Sequence, residues 1–284
     1  MDNREENRAL VAFTWLAPLS VGGTLGLLAL RGINPGAPPD WFGAIPFGVG
    51  VLALAASLLH LSRPHRAYRA LLRLSTSWLS REVILFGTFL FFLALYSLPP
   101  LALLHGDLRG LSGLLATVLG LVSLFATGQV YRLPSRPAWD HWSATVSFPL
   151  GALSAGLLLG IDVARPEAWG APAGRAAATV AAVALLLALT ATWTRSWRLR
   201  GGDSEQLAAW RLVMGSNRWA LALRTAGCLC ALLLLMVGGW AAALAWIPAA
   251  LGELGDRVLF FYGVVPVSFA ARSGVPAVSR QQLR

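Results

Sequence analysis

The chain has 284 residues, of which 56% are hydrophobic and 13% charged, and its formal net charge is +10. A soluble domain ordinarily carries about 25% charged residues, so this composition excludes an ordinary soluble protein and indicates a membrane protein. The two cysteines, Cys228 and Cys230, lie in one apolar run. A zinc or iron–sulfur site built by this chain alone needs further thiolates, so we interpret both cysteines as small packing residues and predict no metal site.

The predicted elements are membrane-spanning helices, because apolar runs of the length that crosses a bilayer, about 20 residues, recur along the chain. The first run is too long for the core of a signal peptide, so we expect a retained helix. With a weaker eighth run, the pattern predicts an all-α polytopic protein of about eight transmembrane helices, forming a single bundle over residues 1–284. The predicted spans are 9–30, 43–61, 83–104, 111–130, 143–161, 176–194, 225–247 and 256–272.

Glycines at four-residue spacing occur within two of these spans, as Gly22 with Gly26 and Gly156 with Gly160. Small residues at this spacing let the backbones of neighbouring membrane helices approach closely. We therefore predict that these glycines lie at helix–helix contacts.

Arginine supplies all 23 basic residues and is distributed unevenly between the two sides of the predicted membrane. The N-terminus, the even-numbered connectors and the C-terminus hold eighteen arginines, and the opposite side holds five. The positive-inside rule then places both termini and the basic loops 62–82, 131–142 and 195–224 in the cytoplasm, the last loop being long enough for an amphipathic interfacial helix. The five arginines assigned to the opposite side are Arg31, Arg109, Arg165, Arg175 and Arg257.

These basic loops predict anionic lipids or an acidic soluble protein as partners. Nucleic acid is not expected, because the arginines follow the membrane topology and do not form one compact basic domain.

Polar side chains are predicted to converge at the same face. His60 ends the second helix, Glu82 begins the third, and Asp140 and His141 begin the fifth. The middles of the spans hold almost no ionisable group, whereas a secondary transporter usually keeps such groups near the midplane, so transport is the alternative to the function inferred below. A haem between His60 and His141 is a further alternative, and we expect none.

A lipid-soluble quinone suits such a face, because its polar head rests where hydrocarbon meets water. Histidine can exchange the protons of quinone chemistry near neutral pH, a carboxylate can orient it or carry the proton onward, and an arginine can bind the quinone oxygen. The alternative is structural: His60 caps a helix, and Glu82 pairs with Arg81 or Arg66.

One motif resembles a known family. "HLSRPHRAYRALLRLSTSWLSRE", residues 60–82, is similar to the signature of the DmsC family, the membrane anchors of dimethyl-sulfoxide-reductase-type molybdoenzymes. "VYRLPSRPAW" (130–139) and "GELGDRVLFFYG" (252–263) resemble its fourth connector and last helix. The chain departs from the family pattern at Ser62, where the family has glycine, which affects the expected geometry of the quinone site.

The resemblance implies a heterotrimer in a bacterial or archaeal cytoplasmic membrane, working in anaerobic respiration. A catalytic subunit would carry molybdopterin, a second subunit iron–sulfur clusters, and this anchor would bind menaquinone or ubiquinone without a redox centre of its own. The resemblance assigns quinol handling to His60, Arg66 and Glu82, with His60 and Glu82 exchanging protons. The remaining candidate residues are Ser62, Tyr68, Trp139 and His141 for quinone binding, and Arg63, Arg69, Arg73, Arg132 and Arg136 for partner docking.

The resemblance and the arginine distribution differ on orientation. In the best-known members of the family the catalytic subunits face outward, whereas the arginines place the signature loop in the cytoplasm. We expect a cytoplasmic catalytic pair, which would suit a substrate held inside the cell, such as a coenzyme A thioester, and reduction of quinone.

Overall fold

The computed structural model of the protein describes residues 3–31, 43–59, 73–98, 107–164, 169 and 172–265. Within these residues the secondary structure is helical, with no β-strand. Six helical stretches there are long and apolar enough to cross a membrane, and α2 is a shorter apolar helix. In chain order the helices are α1 (Asn3–Arg31), α2 (Ala44–Leu59), α3 (Trp78–Ser97), α4 (Asp107–Val130), α5 (Trp142–Gly151), α6 (Leu157–Ala164), α7 (Pro172–Arg198), α8 (Ser204–Met214), α9 (Arg218–Val237), α10 (Gly239–Ala243) and α11 (Trp246–Tyr262).

The predicted class, an all-helical polytopic membrane protein, is confirmed, while the number of eight spans stays a prediction. Large apolar side chains on the outer surfaces of the helices are exposed, among them Phe91, Val118, Leu187 and Leu233. An apolar exterior of this kind matches a lipid environment, because it would be unfavourable in water.

Helix α1 packs closely against the fifth span, in which a π-helical turn, Ala152–Gly156, joins α5 to α6. A Cβ atom added at Gly22 would lie 2.7 Å from the Cα atom of Gly156, and one added at Gly26 would lie 2.7 Å from the Cα atom of Gly160. No side chain fits at such distances, so the predicted close helix packing at both glycine pairs is confirmed.

The last two spans begin earlier than predicted. Helix α9 starts at Arg218 and ends before Gly238 and Gly239, whose φ angles of 76° and 56° are left-handed. Glycine adopts this conformation without a steric penalty, which explains the break between α9 and α10. Helix α11 then starts at Trp246, so the predicted start of the eighth segment at residue 256 is wrong.

Several helix ends meet at one face of the bundle, which we call the basic face: the first turns of α1, residues 131–141, the end of α7 with residues 199–217, and the end of α11. Two hydrogen bonds join these parts. The side-chain amide of Asn217 donates to the carbonyl of Tyr262 over 3.1 Å, and Nη1 of Arg198 donates to the carbonyl of Asp140 over 3.3 Å.

Helix α8 lies within the connector that was predicted to hold an amphipathic helix. Its Ala209 and Val213 are buried and belong to a small apolar cluster with Leu199 and Leu259, whereas Arg211 is exposed. The amphipathic helix is therefore confirmed, and it covers the end of α11 at the basic face.

Candidate functional site

The structure describes half of the predicted site residues. The predicted residues outside the described ranges are His60, Ser62, Arg63, Arg66, Tyr68 and Arg69, and those inside them are Arg73, Glu82, Arg132, Arg136, Trp139 and His141.

Glu82 is buried in the second turn of α3, with 5% of its surface exposed. Its Oε1 accepts a hydrogen bond of 2.6 Å from the hydroxyl of Thr127, near the end of α4. The Thr127 hydroxyl also lies 3.1 Å from the carbonyl of Ser123, to which it can donate instead when the carboxyl is protonated. Glu82 is thus a buried acid at the basic end of the bundle, held by a partner that can adapt to either protonation state.

Arg81, considered above as an alternative partner of Glu82, points away from it. Its Nε and Nη2 atoms donate to the carbonyls of Leu74 and Ser75 over 2.9 and 2.7 Å. Its guanidinium also lies 4.4 Å from the ring centre of Trp78. The pairing of Glu82 with Arg81 is therefore wrong, because Arg81 fixes the turn that precedes α3.

An aromatic cluster follows directly after α4, centred on Tyr131. Trp139, Phe148, Phe260 and Phe261 surround its ring, with centroids 5.2–5.9 Å away. Burial raises the pKa of Tyr131, the negative charge of Glu82 raises it further, and the positive charge of Arg257 opposes both. Tyr131 therefore lies within electrostatic range of both groups, a position that the sequence analysis did not assign to it.

Trp139 belongs to this cluster and is buried, with 6% of its surface exposed. Its indole N–H donates to the carbonyl of Phe260 over 2.6 Å, and its ring stacks on that of Phe260. Because the only donor of Trp139 is already used, its N–H group is not available to a ligand, and its role in quinone binding stays a prediction.

His141 is the N-cap of α5, as expected from its place at the start of the fifth span. Its Nδ1 atom lies 2.8 Å from the hydroxyl of Ser143 and 3.4 Å from the Ser143 backbone nitrogen. Partial burial lowers the pKa of His141, and the positive charges of Arg198, Arg195 and Arg132 lower it further, against the opposing effect of Asp140. The arrangement keeps the imidazole neutral near pH 7 and able to cap the helix.

The arginines predicted to dock a partner have different surroundings. Arg132 forms a salt bridge of 2.9 Å with Asp140, and both side chains are about one third exposed. The guanidinium of Arg136 lies 4.5 Å from the ring centre of Trp139, and Arg73 is exposed. All three lie at the same end of the bundle as Glu82.

A network of buried charges lies below the basic face, between α5, α7, α9 and α11. Glu253 accepts from Nη1 of Arg224 over 2.7 Å and from Nη2 of Arg257 over 3.1 Å. Asp256 accepts from Arg195 over 2.8 Å and from the hydroxyl of Thr192 over 2.6 Å. Three guanidinium groups thus face two carboxylates, which leaves one surplus positive charge inside the bundle.

Arg257 links this network to the aromatic cluster. Its guanidinium lies 4.2 Å from the ring centre of Phe148 and donates to the backbone carbonyl of Ser147 over 2.9 Å. The residue is fully buried and sits in the second half of α11, which ends at the basic face.

Two predictions fail here. The expectation that the middles of the spans hold almost no ionisable group is wrong, because Arg224 lies seven residues into α9 and Glu253 lies near the middle of α11. The assignment of Arg257 to the side opposite the basic loops is also wrong, since it shares the network with Arg195 at the end of α7.

The described residues contain no group of three or more His, Cys, Asp or Glu side chains that could hold a metal ion. Fold and site together define a polytopic helical membrane protein with a buried acid, an aromatic cluster and exposed arginines at one end of its bundle.

The sequence model of the family described as "DMSO reductase anchor subunit (DmsC)" matches residues 1–264, and the protein belongs to this family. It is similar to a sulfite dehydrogenase subunit of Allochromatium vinosum, with 36% identity over 121 residues, which are 38% of this sequence and 37% of that protein. It is also similar to a subunit of the anaerobic dimethyl sulfoxide reductase of Haemophilus influenzae, with 28% identity over 121 residues, which are 42% of each sequence. The matched region therefore spans less than half the length of each relative.

Proposed function

We propose that this protein anchors an iron–sulfur subunit and a molybdopterin-containing catalytic subunit to the membrane, and passes electrons between the membrane quinone pool and the iron–sulfur subunit. The observation that carries the proposal is the buried Glu82 carboxyl, which lies at the same end of the bundle as the aromatic cluster and within electrostatic range of Tyr131. Family membership supports the role of anchor, and the names of the two relatives, which are subunits of redox enzymes, support the partner subunits.

The surroundings of Glu82 fit the exchange of a proton with a quinone or quinol head. Among the described residues the carboxyl has one hydrogen bond, from Thr127, so it keeps the capacity to bind a second polar group. The nearby Tyr131 ring and its aromatic neighbours supply an apolar wall of the kind that ligand sites use, and they limit the access of water. In this role Glu82 takes up or releases the proton, and Thr127 holds the carboxyl in place.

His60 and Arg66 complete the proposed site. His60 is the residue next to the end of α2 in the sequence, and we assign it the main proton exchange with the quinone head. We assign Arg66 either the binding of the quinone oxygen or the docking of the iron–sulfur subunit. The remaining members of the proposed site are Ser62, Tyr68 and His141.

The arginines at the basic end of the bundle, namely Arg73, Arg132 and Arg136, are proposed to dock the iron–sulfur subunit. Arg73 and Arg136 carry no salt bridge among the described residues, whereas Arg132 is paired with Asp140. Cations that carry no salt bridge within the described part of the chain favour an acidic partner surface. We further propose that this face lies in the cytoplasm, because most of the arginines of the sequence belong to its loops and helix ends.

A tagged form of the protein, purified from its native membranes, tests the anchoring role. We expect an iron–sulfur subunit and a molybdenum-containing subunit to copurify, with iron and molybdenum measured by elemental analysis. Copurification without either metal would contradict the proposal and would favour a transporter.

The complex with His60→Leu tests the quinone site. We expect the variant complex to assemble and to keep its turnover with an artificial soluble dye, which bypasses the anchor. Its quinone-linked turnover should fall by about 10²–10⁴. Full quinone-linked turnover in an intact His60→Leu complex would show that the site is misassigned. For Arg66→Ala, weak assembly would indicate docking, and intact assembly with poor quinone kinetics would indicate binding.

Reporter fusions test the orientation. Fusions after Arg73 and Arg218 should report the cytoplasm, and fusions after Pro38 and Pro166 should report the periplasm. The reverse pattern would place the catalytic pair outside the cell.

Secondary transport is the second candidate, because charges buried at this depth are the feature that the sequence analysis associated with transporters. The contacts argue against it. Each carboxylate of the network lies within 3.1 Å of an arginine nitrogen, and guanidinium groups do not release protons near neutral pH. A network of permanently charged, mutually paired groups is suited to holding helices together.

A further inference from the structure

A groove opens beside the basic face between α1, α11 and the start of α9, with a volume of about 650 Å³. Arg8 and Trp15 line it from α1, and Leu254 and Tyr262 line it from α11. A cavity of this size falls within the range of small-molecule sites, which is about 300–1,000 Å³. None of its residues takes part in the site described above.

The groove has a polar mouth and an apolar floor. Helix α1 begins at the basic face and α11 ends there, so Arg8 and Tyr262 mark the mouth, while Trp15 and Leu254 lie about 10–12 Å deeper at the helical rise of about 1.5 Å per residue. At the floor the indole N–H of Trp15 donates to the carbonyl of Ala250 over 2.8 Å, which leaves an apolar ring surface towards the groove.

Arg8 is the charged side chain among the described lining residues; Glu5, one turn earlier on α1, is exposed but does not line the groove. Arg8 is exposed and lines the groove, and Arg218, also exposed, stands in the sequence between the lining residues Asn217 and Trp219. No acidic residue is among the described lining residues. Basic pockets between membrane helices bind the head groups of anionic lipids, and tryptophan rings settle at the same depth.

We propose that this groove binds one anionic phospholipid of the leaflet at the basic face, with the phosphate at Arg8 and an acyl chain along the groove between α1 and α11. The charge at the mouth selects this occupant over a quinone, whose head is uncharged. The same charge favours an anionic lipid over a zwitterionic one, because the ammonium group of a zwitterionic lipid would lie close to the positive charges of Arg8 and Arg218.

Native mass spectrometry of the purified complex tests the site. After removal of loosely bound lipid, phosphatidylglycerol or cardiolipin is added back and compared with phosphatidylcholine of the same acyl chains. We expect about one tightly retained anionic lipid. Its affinity should fall about fivefold in Arg8→Gln, the factor that corresponds to one arginine near an anionic surface, and should be kept in Arg8→Lys. The matched control is Arg211→Gln, which removes another exposed arginine of the basic face outside the groove.

A second pair of variants tests the apolar part of the groove. Ala12→Phe places a ring in the groove and leaves Arg8 intact, whereas Val180→Phe enlarges a residue that is 47% exposed on α7. We expect lipid retention to be lost in Ala12→Phe alone.

Three results would overturn the proposal: equal retention of phosphatidylcholine, equal effects of Arg8→Gln and Arg211→Gln, or full retention in Ala12→Phe. Retention by the isolated protein that disappears when the soluble subunits are bound would also overturn it, because it would make the groove a subunit interface.

Discussion

Glu253 and Arg224 form one ion pair of the buried network, yet replacing Glu253 should lower the free energy of unfolding much more than replacing Arg224. The Arg224 Nη1 atom lies 2.7 Å from Oε1 of Glu253, and both side chains are 3% exposed or less. With three arginines and two carboxylates, the network carries one surplus positive charge. Glu253→Gln raises the surplus to two and leaves Arg224 without its closest partner, whereas Arg224→Met makes the network neutral.

The magnitudes follow from these contacts. Removal of one partner of a buried ion pair costs about 3–5 kcal/mol when the other is left uncompensated, which is the outcome for Glu253→Gln. In Arg224→Met, Glu253 keeps Arg257 at 3.1 Å, so the loss is that of one charged hydrogen bond, about 1.5–3 kcal/mol. The double variant restores the original surplus of one charge. It should therefore be more stable than Glu253→Gln alone.

Unfolding in mixed micelles with increasing dodecyl sulfate, followed by tryptophan fluorescence, measures this order. We expect the free energy of unfolding to decrease from the unchanged protein to Arg224→Met, then to the double variant, and to be lowest for Glu253→Gln. Equal costs for the two single variants, or strictly additive costs in the double variant, would refute the charge argument, since groups in one network must couple.

Two further predictions concern the packing and the cap. Gly160→Ala should lower the free energy of unfolding in the same assay, because its Cβ atom would lie 2.5 Å from the carbonyl oxygen of Gly23, whereas Gly87→Ala, with nothing within 4 Å, should have little effect. The pKa of His141 is below its ordinary value of 6.5, so the stability that the neutral ring contributes is complete above that pH and is lost as the pH falls through the lower, folded-state pKa. His141→Asn, which caps without titrating, should therefore lose less stability between about pH 8 and pH 5 than the unchanged protein; an equal loss would show that His141 is not the acid-sensitive group.

The helical class, the glycine contacts and the helix α8 could be predicted because each depends on local pattern. Apolar length predicts a span, and four-residue glycine spacing predicts a close contact whatever the partner helix is. The arginine motif after the second span likewise indicated the family, which the match over residues 1–264 confirms.

The ends of the last helices could not be predicted in the same way. Glu253, Asp256 and Arg257 lower the hydropathy of α11, so its first residues, Trp246 and Ile247, were assigned to the preceding span and the start of the helix was missed. The two carboxylates are tolerated inside the bundle because Arg224 of α9 and Arg195 of α7 form salt bridges with them. These partners are distant in the sequence, so no local pattern around α11 indicates them. The one sequence signal for such a pair was an arginine within an apolar helix, as Arg224 is in α9.

The candidate site was likewise predicted only in part from the sequence. Glu82 was predicted at the basic end of the bundle and is found there, but its burial and its bond to Thr127 depend on how α3 packs on α4. Tyr131 and Phe260 meet only because α11 returns to the basic face beside the connector after α4.

The most direct test of the central claim is the ratio of quinone-linked to dye-linked turnover in the intact complex carrying Glu82→Gln. Glutamine keeps the shape of the side chain and an acceptor for the Thr127 hydroxyl, and it removes only the exchangeable proton. The control is Glu205→Gln on the surface helix α8. We predict that dye-linked turnover stays unchanged in both complexes, and that quinone-linked turnover falls by about 10²–10⁴ in Glu82→Gln alone. An unchanged ratio in the Glu82→Gln complex would contradict the proposed quinone site.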